Sequence, residues 1–231
     1  MIKAILLDID NTLLDFDAYV QQAMKDGFAK YNLGTFDDHV YAVFKRINTD
    51  LWHRIELGTL TYQELLKTRW NTVFEALGIT FDGVEFERYF KGRLFDNAIP
   101  IDGAMELLHY LKDQYIVCAA SNGPYGQQVN RLTIAGMLPY FHHLFISEQI
   151  GVSKPDRAFF THCLEVINTN LTEPVLPSEV LMIGDSLTSD MQGAIDSGMH
   201  TCYFDKHRNG LHSDLSIDYT VDTLTDILKI L

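Results

Sequence analysis

Five short apolar runs, each closed by polar residues, constrain this 231-residue chain more than any other feature: Ile2–Leu7, Tyr115–Ala120, Leu144–Ile146, Val180–Ile183 and Thr201–Phe204. The runs are continuous. A strand with one face in water alternates apolar and polar residues, whereas a parallel strand covered by helices on both faces does not. Between the runs lie helical stripes. Ala104, Leu107, Leu108 and Leu111 share one face, as do Val129, Leu132 and Gly136, and Phe159, Phe160, Cys163, Leu164 and Ile167. Strands alternating with helices imply right-handed crossovers and an α/β fold with a doubly wound parallel sheet.

Residues 16–96 break this rhythm. They hold no strand pattern but four amphipathic stretches, Asp17–Tyr31, Asp38–Trp52, Tyr62–Leu77 and Val84–Phe95. The expected organisation is therefore a core of residues 1–15 and 97–231 with a helical domain, residues 16–96, inserted after the first strand. Trp52 and Trp70 are expected in the core of that insertion, because buried aromatics dominate helical packing.

Composition removes several classes of function. The formal charge is −13, with no basic stripe of the kind that tracks a nucleic-acid backbone. A small phosphorylated substrate is compatible with this charge if a bound cation supplies positive charge locally. Cys118, Cys163 and Cys202 are odd in number and lack Cys-x-x-Cys spacing, which predicts buried, reduced thiols. His142-His143 lacks a third ligand at zinc spacing and is expected at a loop or strand edge. No run approaches the roughly 20 apolar residues of a membrane span. The run Ala4–Leu7 stops at Asp8, short of the roughly 7–15 residues of a signal sequence. A soluble cytoplasmic protein, monomer or homodimer, is expected.

Open parallel sheets bind ligands beyond the carboxyl ends of their strands, and there the chain is polar. Asp8-Ile9-Asp10-Asn11-Thr12 follows the first run, Ser121-Asn122-Gly123 the second and Gly184-Asp185-Ser186 the fourth, while Lys154-Pro155 lies downstream of the third. Asp8 and Asp10 repel unless a proton or a cation intervenes. Mg²⁺ suits them, since it takes oxygen ligands, including one or two carboxylates, together with substrate phosphate. Asp185 and Asp190 offer further carboxylates. Ser121 and Asn122 supply a hydroxyl and an amide, and the helix that follows is expected to present backbone N–H groups to an anion. Singly, each cluster also reads as a turn, a cap or a loop. Together they read as a phosphoryl-transfer site. In it a carboxylate such as Asp8 attacks phosphorus, and Asp10 protonates the leaving alkoxide and then activates water.

The four clusters, in this order, resemble the haloacid dehalogenase (HAD) superfamily in its phosphatase branch. The resemblance covers the whole core and implies a Rossmann-like fold, with the helical insertion as a cap that closes over substrate on hinges near Leu14–Asp17 and Asn97–Pro100. It implies Asp8 as nucleophile and Mg²⁺ ligand, Asp10 as general acid/base with its main-chain carbonyl on the metal, Asp185 as third ligand and Asp190 as a nearby or water-mediated one. Ser121, Lys154 and Asn122 would bind the transferring phosphoryl group. Asn11 stands where many members have Gly, and Ser121 where many have Thr. Asp10 argues against halide displacement, which needs no such acid. The stretch Asp10–Asp17, the segment Ile146–Pro155 and the pattern Leu51-Trp52, Glu56, Gly58 and Arg69 resemble pyrimidine 5'-nucleotidase-type members. A nucleoside 5'-monophosphate is the substrate this implies. A sugar phosphate, phosphoglycolate, a phosphomutase reaction or a non-catalytic phosphate-binding module are the alternatives.

Overall fold

Strand β1, Ala4–Leu7, is buried along its whole length and lies between β2, Ile116–Ser121, and β4, Val180–Gly184. The computed structural model, which describes residues 1–208, 210 and 214–231, continues the sheet outward through β3, His143–Ile146, on one side. On the other side come β5, His200–Phe204, and β6, Tyr219–Val221, giving the order β3-β2-β1-β4-β5-β6 with every pairing parallel. This is the doubly wound sheet expected from the apolar runs. Successive strand residues face opposite sides of a sheet, so β1 serves two cores. Ile5 and Leu7 pack with Leu107, Leu108, Leu111 and Leu132 on one face, and Ala4 and Leu6 pack with Phe159, Phe160 and Cys163 on the other. A strand with both faces covered has no place for a polar residue, which is why its sequence is unbroken.

β6 was not expected. It has three residues, one neighbour, and only Val221 buried, so an edge position demands no continuous apolar run. His143 opens β3, and all three cysteines are buried and free.

The chain divides into two compact units, Met1–Phe16 with Ala98–Leu231, and Asp17–Asn97. The second unit is built from α1, Phe16–Tyr31, α2, Asp38–Glu56, α3, Tyr62–Leu77, and α4, Gly83–Phe95. Side chains start the last three of these helices by satisfying N–H groups that have no partner in the first turn. Asp37 accepts from Val40 N at 3.0 Å, Asp82 accepts from Val84 N at 2.8 Å, and Thr61 and Glu64 form a reciprocal capping box. The first unit carries α5, Ala104–Leu111, α6, Tyr125–Ile134, the single turn α7, Ser147–Ile150, α8, Arg157–Ile167, and α9, Gln192–Asp196. Among the described residues no helix is long and apolar enough to cross a membrane.

Trp70 lies in the aromatic core of the helical unit, stacked on Phe44 at 5.2 Å and tilted on Phe86 at 4.3 Å between ring centroids. Trp52 is half-buried beside Tyr62. Arg69 is buried within the same unit. It donates from Nε to Glu87 Oε2 at 3.0 Å, from Nη2 to Glu87 Oε1 at 2.5 Å and from Nη1 to Asn48 Oδ1 at 2.9 Å. Removing one member of a buried pair leaves an uncompensated charge. Arg69→Met is therefore expected to cost about 3–5 kcal/mol in urea denaturation, and adding Glu87→Leu should recover most of that loss.

Candidate active site

Asp8 is the first residue beyond β1 and still donates its N–H to Ile183 O of β4, at 2.9 Å. The chain then turns sharply: Leu13 and Leu14 both donate to Ile9 O at 2.9 Å, and Asn11 donates to Leu14 O at 2.7 Å. Asn11 has φ +61°, a left-handed conformation that Gly and Asn adopt at least cost. This accounts physically for an Asn where Gly also serves. Thr12, fully buried, donates its hydroxyl to Asp8 Oδ2 at 3.2 Å.

Three acidic side chains converge at the ends of β1 and β4. One ligand oxygen from each of Asp8, Asp185 and Asp190 lies within 4.8 Å of the others. Asp185 directly follows β4, and Asp190 is turned back by a single π-helical turn over Leu187–Met191. Ser186 N donates to Asp190 Oδ2 at 3.1 Å, and Ser186 Oγ accepts from Ser189 N at 3.1 Å. Gly184 is required beside them, because a Cβ there would overlap the Asp190 carboxylate.

Lys154 reaches this cluster from the far side of the chain. Its ammonium donates to Asp8 Oδ1 at 2.8 Å, to Asp190 Oδ1 at 2.6 Å and to Ala120 O at 2.6 Å, with 1% of the side chain exposed. All three N–H donors are thereby engaged. Burial alone would lower the Lys154 ammonium, but Asp190 and Asp8 beside it reverse the sign and hold it above its ordinary range. Burial pushes Asp8 up to about 7, against the opposing pull of Lys154 and with the help of Asp190. Asp185 is raised well above the ordinary carboxylate range, first by burial and then by repulsion from Asp8 and Asp190.

This donor set fits a hard divalent cation. Lys154 is the one cation beside three carboxyl groups in a largely buried site, too little positive charge to let all three ionise. All the free donors are oxygens, the chemistry that Mg²⁺ and its neighbours select.

Two features depart from expectation. The Asn122 carboxamide meets the main chain of Lys154 at both ends, donating to Lys154 O at 2.8 Å and accepting from Lys154 N at 2.9 Å. Two of the N–H groups at the start of α6 are engaged within the chain, since Gly123 N donates to Ser147 Oγ at 3.1 Å and Tyr125 N to Glu148 Oε2 at 2.8 Å. The Asp10 carboxylate is not one of the three clustered carboxylates, though its charge helps to raise Asp8 and Asp185. Arg131 Nη1 lies 2.7 Å from its Oδ1, and Gln128 Nε2 donates to its Oδ2 at 2.7 Å. Neither Gln128 nor Arg131 was expected at the site. Their signal is polarity where the helix period requires apolar residues: Gln127, Gln128 and Arg131 are all buried on α6 next to Leu132.

Without metal, the folded chain keeps protons on Asp8 and Asp185 that an unfolded chain has already released above the ordinary value of 3.8. The unfolded state then binds fewer protons, and stability falls as pH rises from there through about 7. In chelator, the melting temperature of Asp8→Asn relative to the wild type should rise steadily across this window. Excess Mg²⁺ should narrow the difference, and a difference independent of pH would contradict the assignment.

A family model described as haloacid dehalogenase-like hydrolase matches residues 2–198. Pyrimidine 5'-nucleotidase PynA of Streptococcus pneumoniae is 34% identical over 231 residues, spanning 99% of this chain and 94% of that protein. Pyrimidine 5'-nucleotidase YjjG of Escherichia coli is 28% identical, spanning 98% and 96%. The HAD-hydrolase YfnB of Bacillus subtilis is 31% identical, spanning 99% and 95%. Its magnesium-bound crystal structure, described as revealing interdomain movement, matches this chain with a TM-score of 0.89 at 29% identity, covering 100% and 98%. Matched by the family model over most of its length and by these relatives almost end to end, the chain belongs to the haloacid dehalogenase-like hydrolases.

Proposed function

We propose that this hydrolase cleaves phosphate monoesters through an aspartyl-phosphate on Asp8, with nucleoside 5'-monophosphates as its substrates. The observation that carries the reading is the shared ammonium of Lys154, which bonds one Asp8 oxygen at the mouth of β1 while Thr12 bonds the other, so that the carboxylate is oriented. The substrate class rests on the names of PynA and YjjG, matched over nearly their whole length. In this reading the helical unit serves as the cap domain.

The chemistry divides one difficult displacement into two. An Asp8 carboxylate oxygen bonds to phosphorus as the ester P–O bond breaks, and the departing alkoxide takes a proton from the Asp10 carboxyl group. A water oxygen then bonds to phosphorus, its proton passes to the Asp10 carboxylate, and the Asp8–phosphorus bond breaks to release inorganic phosphate. The Ser121 hydroxyl accepts from Gln128 Nε2 at 2.8 Å, and its own proton is directed to a phosphoryl oxygen. Lys154 contributes positive charge beside the nucleophile, and Asn122 fixes the Lys154 main chain. Held by Asp8, Asp185 and the Asp10 main-chain carbonyl with Asp190 adjacent, Mg²⁺ would offset the charge of the phosphoryl oxygens and of the attacking carboxylate.

Purified protein with Mg²⁺ is expected to hydrolyse p-nitrophenyl phosphate and members of a nucleoside 5'-monophosphate panel. Asp8→Asn should lower kcat by about 10⁴-fold or more. Undiminished turnover by that variant would remove Asp8 from its role. Inertness of the wild type toward every monoester would remove the reaction itself.

A further inference from the structure

We infer that Arg131 and Gln128 are positioning residues for Asp10, holding its carboxyl group toward the leaving oxygen and tying it to the Ser121 hydroxyl; the inference rests on the reaction proposed above. Arg131 and Gln128 are three residues apart on α6 and so share one helix face. Each takes a different oxygen of the same carboxylate, Arg131 Nη1 at 2.7 Å from Oδ1 and Gln128 Nε2 at 2.7 Å from Oδ2. The two are also bonded to each other, since Arg131 Nη1 donates to Gln128 Oε1 at 2.8 Å. Gln128 Nε2 completes the chain to Ser121 Oγ at 2.8 Å.

The burial of these groups is graded in the direction a positioning device needs. Arg131 is fully buried and Gln128 is 1% exposed, whereas 27% of the Asp10 side chain is open. The holding groups are sealed while the held group faces outward. With both oxygens gripped from separate directions, rotation of the carboxyl group costs at least one charge-assisted bond in a buried setting. A proton donor gains most from such fixing, because misplacement by about 1 Å can cost 10²-fold in rate. Gln128 adds a second constraint. The donor to the leaving oxygen and the hydroxyl assigned to the phosphoryl group hang on one carboxamide nitrogen, so the two ends of the breaking P–O bond are registered against each other.

A buried ion pair that only fastened α6 to the Asp8–Leu14 turn would show the same distances. The two roles separate by leaving group. p-Nitrophenolate departs without a proton, whereas the 5'-alkoxide of uridine 5'-monophosphate needs one. In the presence of Mg²⁺, Arg131→Met should lower kcat/KM for uridine 5'-monophosphate by about 10²-fold, with at most a roughly tenfold loss on p-nitrophenyl phosphate. Arg131→Lys should restore part of the selective loss. Asp10→Asn should show the same discrimination more strongly. Equal losses on both esters for Arg131→Met, or none on either, would overturn the positioning role while Asp10→Asn still discriminates. Failure of Asp10→Asn to discriminate would instead overturn the acid/base reading beneath it, and the inference with it. Should Arg131→Met not fold, Gln128→Met leaves the ion pair in place and should lower turnover of both esters through the Ser121 hydroxyl, but that of uridine 5'-monophosphate by roughly a further tenfold. An equal fall on both esters would again overturn the proposal.

Discussion

One ammonium joins three separate pieces of this chain. Lys154 bonds to Asp8 beyond β1, to the carbonyl of Ala120 in β2 and to Asp190 in the turn after β4. Those three strands are neighbours at the centre of the sheet, so the contact is possible only because of the strand order. Burying an ammonium without partners is prohibitive. Burying three carboxylates without a cation is little better, as the upward displacement of Asp8 and Asp185 records. The cluster is therefore self-consistent only when opposite charges meet, and the sheet topology makes them meet. Smaller requirements follow from it. Gly184 must lack a side chain, and the Asn122 carboxamide must grip the Lys154 main chain so that the ammonium arrives in one place.

The sheet was legible because strands with two covered faces have no freedom of composition. Ala4–Leu7 and Val180–Gly184 are buried at every position, and apolar runs reveal such strands directly. β6 escaped because an edge strand has only half of that constraint. The same logic applies to the site. Asp8, Asp185, Asp190 and Lys154 were readable only as a set, because each cluster alone has a structural use as a turn, cap or loop whereas polar clusters after several buried strands in turn do not. Gln128 and Arg131 were not readable, because they interrupt an otherwise ordinary helical stripe and their partner, Asp10, lies 118 positions from Gln128. Only the fold reveals that pairing.

One expectation is displaced by neighbours that a linear reading cannot weigh. The strand-to-helix connection after Ser121 looked open to an anion, but Ser147 and Glu148 from the turn after β3 occupy two of its N–H groups. Glu148 is itself an anion at a helix start, so the expected chemistry is met from within. In the helical unit, Arg69 belongs to the pattern that resembles nucleotidases, and the fold adds its local role. Its guanidinium is bound on three sides by Glu87 and Asn48, which makes it a fastener of that unit's own core.

The reciprocal bonding of Asn122 and Lys154 has a topological consequence. The two residues are 32 positions apart, yet the Asn122 carboxamide clasps the Lys154 main chain with two hydrogen bonds. Everything between them, α6, β3 and α7 included, forms a ring with a fixed neck. The entropy of closing a ring changes only slowly with its circumference. Growth or shrinkage at the distal rim, around the stretch from Gly136 to His142, would thus be absorbed within the ring and hardly felt at its neck, leaving the periphery free to diverge while Lys154 stays in place.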